Sequence, residues 1–237
     1  MRASACYHPS VHKLPKRYIA ASFLPDRYFH GYSLCKLATD PLYGAICAQF
    51  DQHDQPLLDL GCGIGLLLQC LRALGNPITY VGIDSDQEKI AAARLAATKR
   101  AIRDASFEIG DLAHELPAHH GSFALLDILQ YLERPARERL LLQVARRLSP
   151  SGKAVMRIGI DDGSWRASVA RGADRLGHTL RWMRSSFRSQ PTREELMNSF
   201  AKAGLEARFS PLWGKTPFTN YLVIATLSEQ SQGKTFS

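Results

Sequence analysis

A run of alternating glycines next to an aspartate is the part of this sequence whose residue types and spacing could do chemistry. Residues 59–65 read DLGCGIG, so that glycines at 61, 63 and 65 follow Asp59 and an apolar run. Glycine lets the backbone approach a ligand closely and adopt conformations closed to other residues. Asp84 follows the loop at a spacing of about 20 residues, at which a carboxylate can accept hydrogen bonds from ribose hydroxyls. The glycines at a strand end indicate a ligand site at this edge of the predicted sheet.

Two common nucleotide-binding patterns do not fit this loop. The dinucleotide fingerprint GxGxxG needs a glycine where this chain has Leu66, and the phosphate-binding pattern GxxxxGK[ST] is absent. A Rossmann oxidoreductase is therefore a disfavoured interpretation. The helix expected after the loop still presents an N-terminus that favours a negative group.

Alternating strands and helices are expected to position these residues. Short apolar runs that end in Asp or Gly alternate with helical patterns, which predicts a parallel sheet with helices on both faces. We expect a Rossmann-like, doubly wound α/β fold with seven strands, closed by an antiparallel terminal hairpin. Helices are also expected at the N-terminus, broken near Asp40-Pro41, and as an insert after the fifth strand. The predicted strands are 56–60, 79–83, 106–109, 122–129, 153–160, 206–210 and 221–226, and the predicted helices after the glycine loop are 64–74, 87–103, 136–148 and a last one from Thr192 to Gly204.

The glycine loop resembles motif I of the class I S-adenosylmethionine-dependent methyltransferases. The resemblance implies that this loop wraps the methionine part of S-adenosylmethionine and that the strand-end acids hold its polar groups. Asp84, with Ser85, would bind the ribose, and Asp111, with Leu112 beside it, would receive the adenine amino group. The cofactor-binding residues implied in this way are Asp59, Gly61, Cys62, Gly63, Gly65, Asp84, Ser85, Asp111, Leu112, Asp127 and Ile128.

The segment DILQYL, residues 127–132, resembles motif IV, which lines the methyl-transfer site in this family. Many small methyltransferases resembling this chain have a histidine after this strand, and Gln130 stands there instead. Gln130 and Tyr131 are therefore the predicted catalytic residues, which orient the acceptor rather than act as a strong base. The predicted substrate-binding residues are Tyr28, Tyr32, Lys36 and Arg157. No histidine set has convincing spacing for a metal site, so no metal is predicted.

The resemblance also suggests a domain organisation. We expect an N-terminal helical cap over residues 1–50, an S-adenosylmethionine-binding methyltransferase domain over 51–228 and a flexible tail over 229–237. No apolar run approaches the ~20 residues that cross a bilayer, and the five cysteines form no CxxC pair. A cytoplasmic protein with reduced thiols is the expectation, and the oligomeric state stays open.

Charge is the remaining guide to the substrate. The chain has a formal net charge of +8, with eight arginines between positions 157 and 193. This charge favours an anionic partner, such as a substrate tethered to an acidic acyl carrier protein. A second, narrower resemblance, through YSLCKLATDPL and DILQYLERP, is to small methyltransferases of bacterial aryl polyene or xanthomonadin-type pigment clusters, and it implies an aromatic, polyketide-like substrate.

Two other functions stay open at this point. A nucleic-acid methyltransferase fits the positive charge, but motif IV is not of the base-flipping type and no recognition domain is appended, so nucleic acid is a disfavoured partner. A non-catalytic module that only binds the cofactor is the other alternative, and the intact cofactor markers argue against it.

Overall fold

A single mixed sheet forms the centre of the molecule. The computed structural model describes residues 11–51, 55–112, 115–161, 190–213 and 219–229. Within them, seven strands lie side by side in the order β3-β2-β1-β4-β5-β7-β6. The strands are β1 (Leu57–Leu60), β2 (Tyr80–Asp84), β3 (Ala105–Ile109), β4 (Ser122–Leu126), β5 (Ala154–Gly159), β6 (Leu205–Pro211) and β7 (Asn220–Leu227).

Helices connect and cover these strands. They are α1 (Lys16–Ala20), α2 (Arg27–Thr39), α3 (Leu42–Gln49), α4 (Leu66–Ala73), α5 (Gln87–Lys99), α6 (Arg134–Arg147) and α7 (Arg193–Lys202), with short 3-10 helices at Ala21–Phe23 and Leu129–Tyr131. In the described part of the chain, no helix combines the length and the apolar character that a membrane crossing needs.

The predicted fold class is confirmed. Strands β1 to β5 pair in parallel, and β7 pairs antiparallel with both β5 and β6. The strand order reverses at β1, between β2 on one side and β4 on the other. In open α/β sheets, ligands bind outside the carboxyl ends of the strands at such a switch point. The glycine loop therefore lies where the topology favours a ligand.

Two apolar layers cover the two faces of the sheet. Successive β1 residues point to opposite faces, so Leu57 packs in a cluster with residues of α1 to α5, whereas Leu58 packs in a second cluster with residues of α6 and α7. Burying a leucine side chain stabilises a fold by about 1.5–3 kcal/mol. Both layers hold the sheet rigid beneath its carboxyl edge.

Two of the predicted boundaries are confirmed by the capping contacts. Thr192 caps α7 in a full capping box with Glu195, which satisfies N–H groups at the helix start. The break at Asp40-Pro41 separates α2 from α3, and the Asp40 carboxylate accepts a hydrogen bond from the backbone N–H of Leu42 at 3.0 Å. Proline disfavours helical conformation in the residue before it, which ends α2 there.

Two predicted boundaries are wrong by three residues or more. The helix expected over 87–103 ends at Lys99, and the φ of 51° at Ala101 lies in the left-handed region, which cannot continue an α-helix. The other wrong boundary is the end of the fourth strand. We expected the fourth strand to run from 122 to 129, but β4 ends at Leu126 and residues 129–131 form a 3-10 turn. The cause is Asp127, whose φ of 63° lies in the left-handed region and cannot continue a strand. The predicted helical insert around 165–187 lies outside the described residues.

Candidate functional site

The glycine loop leaves β1 with a backbone that glycine alone adopts easily. Gly61 and Gly63 have φ angles of 74° and 56°. A Cβ on Gly61 would lie 2.2 Å from Cδ1 of Ile128, whereas a Cβ on Gly63 would meet no atom within 4 Å. Gly61 is therefore needed for the close packing of the β4 loop on the glycine loop, and Gly63 borders open space. The loop has room for a ligand at Gly63.

The backbone N–H groups of the glycine loop donate to two acceptors at the end of β2, a backbone carbonyl and the Asp84 carboxylate. The N–H groups of Gly61 and Cys62 both donate to the carbonyl oxygen of Ile83, at 2.7 and 2.9 Å. The N–H of Gly63 donates to Oδ2 of Asp84 at 2.8 Å. The loop is thus attached to the end of β2.

Cys62 contributes packing rather than an exposed thiol. Its side chain is 8% exposed, and a Cβ on Gly82 of β2 would lie 2.8 Å from its sulfur. Burial, with the nearby carboxylates of Asp59 and Asp84, raises the pKa of this thiol well above its ordinary value. The predicted cofactor contact of Cys62 remains a prediction about its backbone and its place in the loop.

Asp59 is a buried carboxyl group with an incomplete set of partners. It is 2% exposed, and its Oδ2 accepts a hydrogen bond from the Tyr80 hydroxyl at 2.5 Å. Its Oδ1 is buried and has no hydrogen-bond partner in the described structure. Burial raises the pKa of Asp59 to about 7, against the lowering effect of the Tyr80 hydrogen bond. A positively charged donor would satisfy Oδ1 and stabilise the ionised form.

Sequence reasoning did not find Tyr80. The register pairs Leu57 with Tyr80, so Tyr80 lies on the face that Asp59 shares with Leu57, two residues along the strand. An aromatic hydroxyl at the start of a buried strand was the signal available, because a buried Tyr hydroxyl usually finds a partner.

Asp84 lies at the end of β2 and accepts two backbone hydrogen bonds, from Gly63 as above and from Asp86 at 2.9 Å to Oδ1. Both contacts leave lone pairs on the carboxylate, which has about four acceptor sites. Ser85 follows on the exposed surface. The arrangement fits the predicted ribose contact, because the two oxygens are fixed by the backbone and remain free to accept more.

The end of β3 holds the predicted adenine-binding residues. Asp111 is exposed and Leu112 is half-buried, two and three residues after β3 ends at Ile109. Gly110 donates its N–H to the carbonyl oxygen of Asp84 at 3.1 Å, which places this turn beside the end of β2. The structure therefore puts Asp111 and Asp84 on neighbouring strand ends.

The loop after β4 packs against the glycine loop. Ile128 contacts Gly61, as the distance above shows, and Asp127 is held by Arg157 of β5. The Nε of Arg157 donates to Oδ1 of Asp127 at 2.5 Å, a second guanidinium nitrogen contacts Oδ2, and the N–H of Asp127 donates to the Arg157 carbonyl oxygen at 3.1 Å. Both the side chain and the backbone of Asp127 are therefore fixed by one residue.

Gln130 lies in the turn that follows. It is 7% exposed, and its Oε1 is buried with no partner in the described structure. Tyr131 is half-buried in the same turn. An unsatisfied buried acceptor costs free energy, so this oxygen is suited to a ligand group that donates a hydrogen bond.

Arg157 is not an open substrate-binding residue in this structure. Its side chain is 4% exposed, and its guanidinium forms ion pairs with Asp127 and with Asp40 at the end of α2. Lys36 contacts Asp40 at 2.9 Å from its Nζ, so two of the four predicted substrate-binding residues belong to one ion-pair cluster. Sequence reasoning missed Asp40, which lies 117 residues from Arg157.

The tyrosines predicted to bind substrate lie on α2. Tyr32 is half-buried and Tyr28 is 60% exposed. Burial raises the pKa of Tyr32 to about 12, and the carboxylate of Asp127 adds to the rise. The charges of the ion-pair cluster thus act on the Tyr32 hydroxyl, whereas Tyr28 lies at the surface against Phe29.

The strand-end residues fit the cofactor that the resemblance implies. Asp59 offers a buried acceptor for an ammonium group, Asp84 offers two oriented oxygens for a ribose, and Gly63 borders open space. Among the residues that the structure describes, no three His, Cys, Asp or Glu side chains gather as a metal site requires.

The chain is similar to known methyltransferases. Residues 57–152 match a family model described as a methyltransferase domain. The chain is similar to a ubiquinone biosynthesis O-methyltransferase of Idiomarina loihiensis, with 30% identity over 117 residues, which cover 48% of this chain and 42% of that protein. Matches to curated relatives of this name cover between 42% and 63% of the relatives' own lengths.

Solved structures share the fold at lower identity. Magnesium protoporphyrin IX methyltransferase of Synechocystis PCC 6803, with bound S-adenosylhomocysteine, aligns with a TM-score of 0.60 and 15% identity over 78% of this chain and 82% of that one. An O-methyltransferase from neocarzinostatin biosynthesis, in complex with S-adenosylhomocysteine and 1,4-dihydroxy-2-naphthoic acid, aligns with a TM-score of 0.54 and 18% identity over 89% of this chain and 67% of that one.

Proposed function

On the premise that the chain belongs to the class I S-adenosylmethionine-dependent methyltransferases, we propose that it methylates a small aromatic or polyketide-like acceptor, free or carried by an acyl carrier protein. The observation that carries the cofactor part of the proposal is the buried, unpartnered Oδ1 of Asp59, a carboxyl on which the charge of Asp84 acts; Gly63 of the same loop borders open space and donates its N–H to Asp84. This set fits a ligand that joins an ammonium group to a ribose.

The proposed roles follow from where each residue lies. Asp59 accepts from the ammonium group, Asp84 and Ser85 hold the ribose, and Asp111 with Leu112 receives the adenine. Bound S-adenosylmethionine supplies an electrophilic methyl group on a sulfonium sulfur. The chain's own contribution is to bind the acceptor, align its attacking atom and exclude water.

Gln130 is proposed to orient the acceptor through its buried Oε1. A hydroxyl or N–H on the acceptor would complete the missing hydrogen bond, and the half-buried Tyr131 would contact the same ring. Neither side chain is a strong base near neutral pH, so the acceptor's proton would leave to water or the acceptor would react as an anion.

The aromatic character of the substrate rests on the tyrosines of α2 and on likeness to relatives. The charges of Asp127, Arg157 and Asp40 act on the hydroxyl of Tyr32, which is therefore near the loop after β4. A naphthoic acid is the ligand of one neighbouring structure, and the curated relatives are named for ubiquinone biosynthesis. The net charge of +8 supports an anionic acceptor or an acidic carrier, and a place in pigment or secondary-metabolite biosynthesis would follow from such a substrate.

A radiometric screen tests the acceptor class. Purified protein is incubated with methyl-labelled S-adenosylmethionine and with separate panels of hydroxylated aromatics, aryl carboxylates, aryl-loaded carrier protein and oligonucleotides. We expect transfer to an aromatic panel, and loss of transfer in Asp84→Ala. Transfer to oligonucleotides alone would replace the proposal with nucleic-acid methylation, and binding without transfer to any panel would favour a non-catalytic module.

A further inference from the structure

Four charged side chains form one continuous ion-pair cluster between the N-terminal helices and the sheet. In order, they are Lys36 and Asp40 of the α2 end, Arg157 of β5 and Asp127 after β4. The exposed fractions of the side chains are 24%, 11%, 4% and 30%. The cluster is therefore most deeply buried at Arg157, where the two carboxylates meet one guanidinium.

The charges of this cluster depend on each other. Burial alone would raise the pKa of Asp40, but Arg157 and Lys36 hold it below the ordinary value. A buried charge that loses its partner is strongly destabilised. The lowered pKa of Asp40 therefore depends on Arg157, whose guanidinium also pairs with Asp127.

Asp127 links the ion-pair cluster to the candidate cofactor site, because the next residue in the chain, Ile128, contacts the glycine loop. Asp127 has a φ of 63° and is bound by Arg157 through both its backbone and its carboxylate. Its neighbour Ile128 packs on Gly61. A displacement of Asp127 would therefore move Ile128 against the glycine loop.

Helix α2 is attached to the same point. Tyr32 lies one turn before Lys36 on α2, and Asp127, Arg157 and Asp40 all act on its hydroxyl. Asp40 is the C-cap of this helix, and its Oδ1 also accepts from Leu42 of α3. The end of α2 and the start of α3 are thus linked to Asp127 through the guanidinium of Arg157.

We propose that Asp40 is a positioning residue for this site: through Arg157 it fixes Asp127, and it thereby couples the seating of helix α2 to the glycine loop that holds the cofactor. The inference rests on the proposed function, because it assumes a cofactor at that loop. Asp40 touches neither cofactor nor acceptor in this account, and it acts only through Arg157.

A double-mutant cycle on S-adenosylhomocysteine binding tests the coupling. Asp40→Asn keeps an oxygen for Leu42 and removes the charge that pairs with Arg157. We expect Asp40→Asn and Asp127→Asn each to weaken binding, by about five- to tenfold, and the double variant to be no weaker than the worse single one, because residues that act as one unit are not additive. Additive losses would overturn the proposal.

A matched control separates coupling from simple loss of helix stability. Asp26 caps the opposite end of α2, accepting from the Phe29 N–H at 3.0 Å. Asp26→Ala loosens the same helix without touching Arg157, so we expect its affinity for S-adenosylhomocysteine to stay within about twofold of wild type. An affinity loss equal to that of Asp40→Asn would mean that the cluster acts only through the stability of α2.

Hydrogen exchange of residues 27–39 gives a second readout. In wild type, S-adenosylhomocysteine should increase protection of these amides, and Asp40→Asn should abolish that increase. If Asp40→Asn does not fold, Asp40→Glu, which keeps the charge and shifts the carboxylate, should show the same non-additivity. Wild type that does not bind S-adenosylhomocysteine would remove the proposed function and this inference together, whereas binding with additive variants would remove the inference alone.

Discussion

The carboxyl groups on the two sides of the site have different kinds of partners. At the ends of β1 and β2, Asp59 and Asp84 receive hydrogen bonds from neutral donors in the described structure: the Tyr80 hydroxyl and the backbone N–H groups of Gly63 and Asp86. On the side of β4 and β5, Asp127 of the loop after β4 and Asp40 at the end of α2 share the guanidinium of Arg157 of β5. One side keeps negative charge for a ligand, and the other neutralises it internally.

This difference predicts that the first pair of carboxyl groups contributes to ligand binding and the second pair to the stability of the fold. A carboxylate oriented by neutral donors can still attract a cation or accept from a hydroxyl, whereas a carboxylate in a buried ion pair gains little from a further partner. Changes near β1 and β2 should therefore alter ligand affinity more than stability. Changes at Arg157 should alter stability first.

The largest effect is expected from Arg157→Met. It removes the buried cation that Asp40 and Asp127 share and leaves Asp40 with Lys36 as its cationic neighbour in the cluster, and the loss of one partner of a buried ion pair costs about 3–5 kcal/mol of unfolding free energy. Urea denaturation measures this loss. The exposed ion pair of Arg134 with Glu138 gives the control, since Arg134→Met should change stability far less, and equal losses would contradict the contrast between the two sides of the site.

Asp84→Ala should produce the next largest change, in affinity rather than stability. Hydrogen bonds to a charged group contribute about 1.5–3 kcal/mol each, so loss of the ribose contacts should weaken S-adenosylhomocysteine binding by about 100-fold or more. Calorimetry measures it. The control is Asp86→Asn, two residues on, which keeps the cap of α5 and should bind S-adenosylhomocysteine almost as wild type does. Near-normal binding by Asp84→Ala would mean that the ribose binds elsewhere.

Asp59 should make ligand binding depend on pH. With a pKa of about 7 in the free protein, this carboxyl is mostly neutral at pH 5.5 and ionised above pH 8, and the ammonium group of S-adenosylhomocysteine favours the ionised form. Affinity should therefore rise with pH, by up to about tenfold per unit below pH 7. Titration calorimetry between pH 5.5 and 7.5 measures the rise, and Asp59→Asn should bind more weakly with a flat profile.

The same group has the opposite effect on the free protein's stability. Because its folded pKa is raised above the ordinary value near 3.8, folding favours the protonated form, and the contribution of Asp59 to stability is complete below pH 4 and is lost as pH rises through about 7. Urea denaturation at pH 5 and pH 8 should show a pH dependence that Asp59→Asn reduces. If the unfolding free energy of Asp59→Asn depended on pH as strongly as that of wild type, the raised pKa of Asp59 in the free protein would be contradicted.

The smallest change in stability is expected from Gln130→Met. It removes a buried unpaired amide oxygen without a large change of volume, so the unfolding free energy should shift by less than about 1.5 kcal/mol, in either direction. Methyl transfer to the acceptor found in the screen should nevertheless fall by about tenfold or more. Gln69, fully buried in α4 with neither amide atom paired among the described residues, is the control: Gln69→Met should leave transfer intact.

Local signals predicted most of the fold and part of the site. Strand ends marked by Asp59, Asp84 and Gly110 were readable because buried parallel strands are short apolar runs that stop at polar or glycine residues. The end of β4 was not readable. Ile128 and Leu129 follow Asp127 and suggest a longer strand, but the left-handed conformation of Asp127, held by Arg157 of the next strand, ends it at Leu126.

The parts of the candidate site that the sequence did not predict depend on partners that lie far apart in the chain. The local signals, a hydroxyl on a buried strand for Tyr80 and a helix break for Asp40, do not identify their partners. Those partners arise from strand register and from a contact across 117 residues. Arg157 was predicted to bind substrate because of its charge. Its burial between two carboxylates follows from tertiary packing, which charge in the sequence does not encode.

Calorimetric titration of the purified protein with S-adenosylhomocysteine and, separately, with NADH tests the central claim most directly. The geometry of Asp59, Gly63 and Asp84 predicts binding of S-adenosylhomocysteine, in the range of about 1–100 μM (roughly 5.5–8 kcal/mol), and no binding of NADH. Binding of NADH alone, or of neither ligand, would contradict a methyl-donor site at the glycine loop.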